Sequence, residues 1–360
     1  MKITHVSETI HGGIATYLNE VVPEQLNLGI HEVSLLIPDN QIDCLKFSTD
    51  FITFKREERG LMSLFSFLVN YRKLLKEKRP DIVHIHSSFA GMIVRLYHLI
   101  NPIRKPLLVY CAHGWSFSMT THSLSKFLYS KIEKFLSYFT DEIICISNFE
   151  KQLAIQYGLP EKKLSVVYNS ISLIKPKSSY INIDIDVKKT NFLFVGRFHE
   201  AKGFDFLPEV FSKLGEQYHL YVAGGARLGN EYDIDVPPNV TKMGWLNSEQ
   251  LQCLYDTVDA VIVPSRWEGF GYVAVEAMRS SKPVLVSNNG ALPELIKNEY
   301  NGLVFDLTTE SIIERIQSLD KLKLNEYGKN GYYFFLNHFE SKININKLHN
   351  IYNKLINEKV

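Results

Sequence analysis

The stretch 260–293 constrains the fold more than any other part of the chain. Its apolar run, Ala260–Val263, stops at Pro264, and such a run is typical of a buried parallel strand that leads into a loop. The loop contains Gly269 and Gly271, and an apolar helical segment follows. A strand, a glycine-containing loop and a helix in this order predict one βα unit of an α/β protein with a doubly wound parallel sheet.

The same loop has groups that suit a ligand with phosphates and sugar hydroxyls. The amides of Gly271, Tyr272 and Val273 are expected at a helix N-terminus, where free N–H groups and the helix dipole favour a phosphate. Seven residues separate Glu268 from Glu276. We therefore expect one carboxylate to face the ligand of the loop and the other to lie a turn deeper, and carboxylates accept hydrogen bonds from sugar hydroxyls.

The sequence Glu268-Gly-Phe-Gly-Tyr-Val-Ala-Val-Glu276 resembles the E-x7-E motif of retaining GT-B glycosyltransferases, in particular family 4. An ordinary strand–loop–helix with two solvated glutamates is the alternative. The resemblance implies two Rossmann-like parallel-sheet domains facing a cleft, with a C-terminal helix that crosses back to the first domain. It also implies that Gly269 and Phe270, with the three residues that follow them, bind the donor.

Two cations stand at the end of another predicted strand, Asn191–Val195. Gly196-Arg197 follows this strand and Lys202-Gly203 comes five residues later. Arginine binds two oxygens at once and lysine supplies a compact charge, so the pair suits a pyrophosphate, although surface residues near a helix end would look similar. The G-R-x4-K-G pattern matches the diphosphate clamp of the family, which implies that Arg197 and Lys202 neutralise the leaving diphosphate.

The resemblance assigns the remaining donor-binding residues. It implies that Glu276 holds the ribose hydroxyls and that Glu268 binds hydroxyls of the transferred sugar. Further residues follow two other predicted strands: Gly225 in a close-approach turn, and Gly244, Trp245 and Leu246, whose main chain would contact the nucleotide base.

The first half of the chain contributes two shorter signals. Gly12-Gly13 follows the first predicted strand and offers amides to a ligand, or serves only as a tight turn. His113 follows the apolar run Leu107–Cys111, at the strand ends where ligands of open parallel sheets gather. A histidine there can donate a hydrogen bond to a sugar hydroxyl, although a structural role is the alternative. By resemblance, His113 contacts the donor sugar and stabilises the developing charge. We expect His84 and His86, on the strand before, to point to opposite faces.

The domain boundary is expected in the segment 172–189, which has no helical period and carries Pro, Ser and Lys. We assign 1–172 to an acceptor-binding domain and 173–340 to a nucleotide-sugar-binding domain. The tail 341–360 is assigned to a helix that packs on the first domain.

Composition limits the possible partners. The net charge of +1 argues against bulk nucleic-acid binding. The segment 55–106 has eleven Lys/Arg and four acidic residues interleaved with apolar side chains. This mixture fits a helix on an anionic membrane, or a solvated helix with its other side in the core. The four cysteines are scattered, and no apolar run of 18 residues or cleavable leader is seen, so we expect a cytoplasmic protein, peripheral at most.

The resemblance implies transfer of a sugar from a nucleotide-diphosphate sugar, UDP-linked, to a glycan or polyprenyl-diphosphate-linked acceptor in bacterial surface polysaccharide synthesis. Neither a metal nor another cofactor is expected, because two cations face the diphosphate and no Asp-x-Asp stands beside them. The alternatives are a GT-B nucleotide-sugar epimerase and a non-catalytic nucleotide-sugar-binding regulatory subunit. A subunit of that kind is expected to lack some of the clamp and glutamate residues, and all are present.

Overall fold

The computed structural model describes residues 1–29, 32–56, 60–101, 105–118, 123–181, 183, 185–226 and 234–359. The chain divides into two compact units. Unit 1 comprises Met1–Ser170 and Ser341–Val360, and unit 2 comprises Ile171–Glu340.

Unit 1 contains a seven-stranded sheet in the order β3-β2-β1-β4-β5-β6-β7, and its strand pairings are parallel. The strands are β1 Lys2–Ser7, β2 Glu32–Pro38, β3 Asp50–Phe54, β4 Ile82–His86, β5 Leu107–Cys111, β6 Glu142–Cys145 and β7 Leu164–Val166. The helices are α1 Gly13–Asn27, α2 Leu61–Lys78, α3 Ser88–Ile100, α4 Ser123–Ser137, α5 Asn148–Gln156 and, from the end of the chain, α12 Ser341–Lys359.

Burial on both faces explains why the central strands of unit 1 read as continuous apolar runs. Every residue of β4 and β5 is buried, as expected of a parallel sheet with helices on both sides. One core contains Phe67 of α2 and Ile93 of α3. On the other side of the sheet, the Tyr352 hydroxyl of α12 lies 2.6 Å from Nδ1 of His84. The C-terminal helix therefore packs on the first unit, as predicted.

Unit 2 contains a six-stranded sheet in the order β10-β9-β8-β11-β12-β13, again with parallel pairings. Its strands are β8 Thr190–Val195, β9 Tyr218–Ala223, β10 Val240–Gly244, β11 Ala260–Val263, β12 Val284–Ser287 and β13 Gly302–Phe305. Its helices are α6 Leu207–Leu214, α7 Ser248–Thr257, α8 Tyr272–Arg279, α9 Leu292–Leu295, α10 Thr309–Gln317 and α11 Lys321–His338.

Each sheet reverses its strand order once, between β1 and β4 in unit 1 and between β8 and β11 in unit 2. Ligands of doubly wound folds bind at the carboxyl ends of the strands at such a reversal. The prediction of two Rossmann-like parallel-sheet domains is confirmed, and the reversals indicate where the functional residues are to be sought.

Two elements differ from the sequence prediction. Strand β3 was not predicted. The sequence predicts a single helix over Ser311–Leu322. The structure has two helices there, because α10 ends at Gln317 and Asp320 caps α11 by accepting from the amide of Lys323 at 2.8 Å. An Asp N-cap satisfies amides at a new helix start and so favours a break there.

Among the described residues, no helix is long and apolar enough to cross a membrane.

Candidate active site

The loop after β8 is held against the neighbouring strand ends by backbone hydrogen bonds. The amide of Gly196 donates to the carbonyl of Ala223 at 3.0 Å, and the amide of Phe198 donates to Gly225 at 2.9 Å. Gly224 has φ +135°, and a Cβ on it would lie 1.9 Å from the carbonyl oxygen of Gly196. Only glycine allows this approach. The loop that contains Arg197 therefore has a fixed position at the strand ends.

The loops after β8 and β11 are joined to each other. The amide of Arg266 donates to the carbonyl of Ala201 at 2.9 Å. Gly203 has φ +68°, and a Cβ there would lie 1.8 Å from the carbonyl oxygen of Pro264. This close contact brings Lys202 next to the loop that contains Glu268.

Lys202 and Glu268 form an ion pair. Lys202 Nζ lies 2.5 Å from Glu268 Oε2, and the two side chains are 29% and 16% exposed. The sequence motifs indicate that Lys202 binds the diphosphate and Glu268 the sugar; the structure brings the two residues together and pairs them with each other. Arg197 is exposed and makes no hydrogen bond or ion pair with any described residue.

The E-x7-E segment forms the loop and the first turns of α8, as the sequence suggested. Gly271 has φ +109° and precedes α8, which begins without a side-chain cap, so the amides of Tyr272 and Val273 lie in a first turn that no side chain caps. Gly269 and Phe270 are buried, and the Phe270 ring packs against Phe339 at a centroid distance of 5.8 Å. The Phe270 side chain is thus part of the hydrophobic core.

Glu276 lies one helix turn or more beyond Glu268, on α8. The Tyr255 hydroxyl donates to Glu276 Oε2 at 2.9 Å. Burial raises the pKa of Tyr255 well above its ordinary value, and the charge of Glu276 raises it further. The carboxylate of Glu276 is thus oriented by a neutral phenol.

The residues expected near the base lie at the ends of β9 and β10. The amide of Gly224 donates to the carbonyl of Gly244 at 2.8 Å. A Cβ on Gly225 would lie 3.0 Å from the indole nitrogen of Trp245, whose side chain is 63% exposed. An exposed aromatic ring beside a glycine leaves a flat surface, and Leu246, partly exposed, follows it.

In unit 1, Gly12 and Gly13 form the start of α1. Gly12 has φ +67°, α1 begins at Gly13 without a side-chain cap, and the space around Gly12 is open. His113 follows β5 with φ +53°, a left-handed conformation that is uncommon for residues other than glycine and is found at functional sites.

The expectation that His84 and His86 point to opposite faces is wrong. Residues two apart in a strand share a face, and the ring centroids of His84 and His86 are 4.4 Å apart. His5, the register partner of His84 on β1, lies on the same face. The two-residue period applied to His84 and His86 would have shown that they cluster; nothing in the sequence indicated that His5 joins them.

The cluster leads to His113 through hydrogen bonds. His5 Nε2 lies 2.8 Å from Gln25 Oε1, and His5 Nδ1 lies 2.9 Å from His86 Nε2. His86 Nδ1 lies 2.9 Å from His113 Nε2. Burial lowers the pKa of His5 to about 4 and of His113 to about 3, and it lowers the pKa of His84 and His86 well below the ordinary value. All four rings are therefore neutral at physiological pH.

Metal-ligating atoms also meet in this cluster. In the described part of the chain, His5, His84 and His86 each place one ring nitrogen within 4.8 Å of the others. The 2.9 Å separation of His5 Nδ1 and His86 Nε2 is that of a hydrogen bond.

Two family models match the chain, and together they cover most of it. The model "Glycosyltransferase Family 4" matches residues 11–174, and the model "Glycosyl transferases group 1" matches residues 181–334. These matches, with the two doubly wound units of the fold, place the protein in the GT-B class of glycosyltransferases.

Relatives and solved structures agree with this class. The chain is 33% identical over 312 residues to an uncharacterized 41.2 kDa protein in the cps region of Klebsiella pneumoniae, which covers 84% of this chain and 86% of that protein. It is 27% identical over 329 residues to the Escherichia coli UDP-Gal:alpha-D-GlcNAc-diphosphoundecaprenol alpha-1,3-galactosyltransferase, with 86% and 82% covered. The structure of Anabaena Alr3699/HepE in complex with UDP superposes with a TM-score of 0.82 at 16% identity, with 98% and 100% covered. The protein belongs to the family 4 glycosyltransferases.

Proposed function

We propose that this glycosyltransferase is retaining and metal-independent, and that it transfers a sugar from a UDP-linked donor to a glycan or polyprenyl-diphosphate-linked acceptor in bacterial surface polysaccharide synthesis. One observation carries the proposal. Lys202 Nζ and Glu268 Oε2 lie 2.5 Å apart where the strand order of unit 2 reverses, and Arg197 is exposed on the same loop as Lys202. Two cations and a carboxylate are the groups that a sugar diphosphate needs.

The ion pair explains how the site accepts its donor. A phosphate oxygen can replace the carboxylate on Lys202, since phosphate offers the same acceptor with more charge. The displaced Glu268 carboxylate is then available to a hydroxyl of the transferred sugar. Arg197 and the amides at the start of α8 bind the remaining phosphate oxygens, and Glu276 accepts from the ribose hydroxyls.

Transfer breaks the bond between the anomeric carbon and the phosphate oxygen, and the acceptor oxygen forms a bond to that carbon on the same face. The acceptor hydroxyl gives its proton to the leaving diphosphate. Negative charge grows on the diphosphate as the bond breaks, so Arg197 and Lys202 stabilise the transition state more than the bound donor. The Glu268 carboxylate displaced from Lys202 accepts a hydrogen bond from a hydroxyl of the transferred sugar, and we assign it to sugar binding rather than to nucleophilic attack.

The choice of substrates rests on the relatives. The Escherichia coli enzyme is named for UDP-galactose and a diphosphoundecaprenol-linked sugar. The Klebsiella protein belongs to a cps region, and the Anabaena protein was solved with UDP. We therefore place UDP first among donors and a lipid-linked sugar first among acceptors.

A lipid-linked acceptor needs a protein that works at a membrane, and the outer surface of α2 suits this role. Met62, Phe65 and Val69 are 82%, 67% and 48% exposed, and Arg72 and Lys73 follow them on the same exposed helix. Apolar side chains beside cations favour an anionic bilayer surface.

The structure refines the segment 55–106 that suggested membrane contact. Arg95 is fully buried and forms an ion pair with Glu133 at 2.7 Å, so it is not part of the surface. Phe67 is buried in the core, and residues 57–59 and 102–104 lie outside the described residues. Helix α4 adds Leu124, Phe127 and Leu128 to the exposed apolar side chains of unit 1.

The proposal is tested by incubating the protein with radiolabelled nucleotide sugars, with and without a membrane lipid extract. We expect lipid-dependent transfer from one UDP-sugar, and NMR of the product should show that the anomeric configuration of the donor is kept. Lys202→Met should abolish transfer. Lys213→Met is the matched control, because Lys213 is an exposed lysine of unit 2 that pairs with Glu209. Inverted configuration would refute retention, and binding of a nucleotide sugar without any turnover would favour a regulatory subunit.

A further inference from the structure

A chain of buried hydrogen bonds runs through unit 1 and ends at His113. It starts at Gln25 Oε1 on α1, passes through His5 on β1 and His86 on β4, and reaches Nε2 of His113, with separations of 2.8, 2.9 and 2.9 Å. Gln25, His5 and His86 are at most 1% exposed. Each imidazole uses one ring nitrogen toward each neighbour, so the chain is continuous.

The protonation of each ring follows from that of its neighbour. A neutral imidazole has one N–H and one bare nitrogen, and two ring nitrogens that lie 2.9 Å apart form a hydrogen bond only when one of the two is bare. Gln25 Oε1 can only accept, so His5 carries its proton on Nε2 and accepts at Nδ1. The proton of His86 is then on Nε2, and the proton of His113 is also on Nε2.

This leaves Nδ1 of His113 bare. The atom is buried and has no hydrogen-bond partner among the described residues. An unpaired buried polar atom is costly, and the left-handed backbone of His113 adds to the cost. Both features indicate a group held ready for a ligand.

We propose that Gln25, His5 and His86 are positioning residues that fix His113 as a hydrogen-bond acceptor at Nδ1. In this state His113 accepts a hydrogen bond from a sugar hydroxyl. This inference rests on the proposed function, because it takes the sugar substrate from there. It reverses the donor role that the sequence analysis gave to His113.

The tautomer can be measured without substrate. In protein labelled with 15N-histidine, two-bond 1H–15N spectra distinguish a proton on Nε2 from one on Nδ1, and His113→Asn identifies the signal. We expect His113 to carry its proton on Nε2. A proton on Nδ1 would overturn the proposal, and so would a stoichiometric metal ion in the purified protein, since a metal between His5, His84 and His86 would occupy the lone pairs that the chain uses.

Variants of Gln25 test whether the start of the chain sets its end. Gln25→Met keeps the size but removes the acceptor, so the His113 signal should shift toward the other tautomer and kcat/KM should fall about tenfold, the cost of one hydrogen bond. Gln25→Glu keeps an acceptor oxygen and should keep the tautomer. Gln41→Met is the matched control, because Gln41 is a buried glutamine of the same unit outside the chain. An unchanged tautomer in Gln25→Met refutes the proposal.

Donor analogues test the acceptor role. If a sugar hydroxyl donates to His113, replacing that hydroxyl by fluorine should cost as much as removing it, and the cost should vanish in His113→Leu, whose side chain has no acceptor. If the fluorine analogues for every hydroxyl position react as well as the parent sugar, His113 does not accept a hydrogen bond from the donor sugar. If no donor is turned over, the proposed function fails, while the spectra of the free protein still decide the tautomer.

Discussion

The buried histidines predict a loss of stability in mild acid. His5 is 1% exposed, and burial lowers its pKa to about 4 from an ordinary 6.5. It faces His84 and His86 of β4 and Gln25 of α1, with no carboxylate among these partners. Between about pH 6.5 and about pH 4 the unfolded chain binds this proton and the folded chain does not. The free energy of unfolding is therefore unaffected by His5 above about pH 6.5, and the titration of His5 lowers it progressively as the pH falls toward about 4.

The magnitude follows from the two pKa values. At about pH 5 the unfolded chain protonates His5 and the folded chain mostly does not, and this difference lowers the free energy of unfolding by about 2 kcal/mol for His5 alone. The lowered pKa of the other three histidines acts in the same direction. In His5→Gln the fall in the free energy of unfolding from about pH 7.5 to about pH 5 should therefore be smaller than in the wild type by about 2 kcal/mol.

Tryptophan fluorescence allows this to be measured for unit 1 alone. The chain has three tryptophans; Trp115 is buried in unit 1, and Trp245 and Trp267 lie in unit 2. Urea unfolding of Trp245→Phe/Trp267→Phe protein therefore reports on unit 1 through Trp115. Equal pH dependence with and without His5→Gln would refute the reasoning, because it would mean that His5 titrates normally in the folded state.

Three further changes have predictable results. Gly203→Ala should lower the free energy of unfolding of unit 2 by about 3 kcal/mol in urea titrations, because the added Cβ would collide with a backbone carbonyl. Gly244→Ala is the control: at φ +69° in open space, it should lower this free energy by about 1 kcal/mol. Equal losses in the two variants would contradict the argument. Glu133→Gln leaves Arg95 charged and buried, so unit 1 should lose about 3–5 kcal/mol in the same titrations, and a loss under about 1 kcal/mol would show that the pair is solvated. Phe65→Ser should weaken sedimentation with anionic vesicles, whereas Leu322→Ser, 80% exposed in unit 2, should not; equal binding by both would exclude the α2 surface.

Much of the fold could be predicted because local signals agreed with tertiary demands. The amphipathic pattern of the sequence predicts a helix over Leu61–Lys78, and α2 has these bounds. Gly60 precedes the helix, and Arg79 ends it in a left-handed conformation before Pro80. Strand β3 lacks such a signal. It is an edge strand with partly exposed residues, so its sequence has no continuous apolar run.

The site was predictable only as a set of residues. Sequence motifs placed Lys202 and Glu268 at strand ends, but the two are 66 positions apart and their pairing depends on the contact of Gly203 with Pro264. The hydrogen-bond chain to His113 was missed for a similar reason. It joins His5 to His86 across 81 positions, and the ring nitrogen used at each step is set by packing rather than by sequence.

Calorimetric titration with UDP and UMP tests the central claim most directly. If Lys202 and Arg197 hold the diphosphate, Lys202→Met should weaken UDP binding at least about tenfold, the worth of one charge-assisted hydrogen bond. It should leave UMP binding nearly unchanged, because UMP has no second phosphate, and Lys213→Met should affect neither nucleotide. Equal UDP affinity in wild type and Lys202→Met would contradict the assignment of this site to the sugar-nucleotide diphosphate.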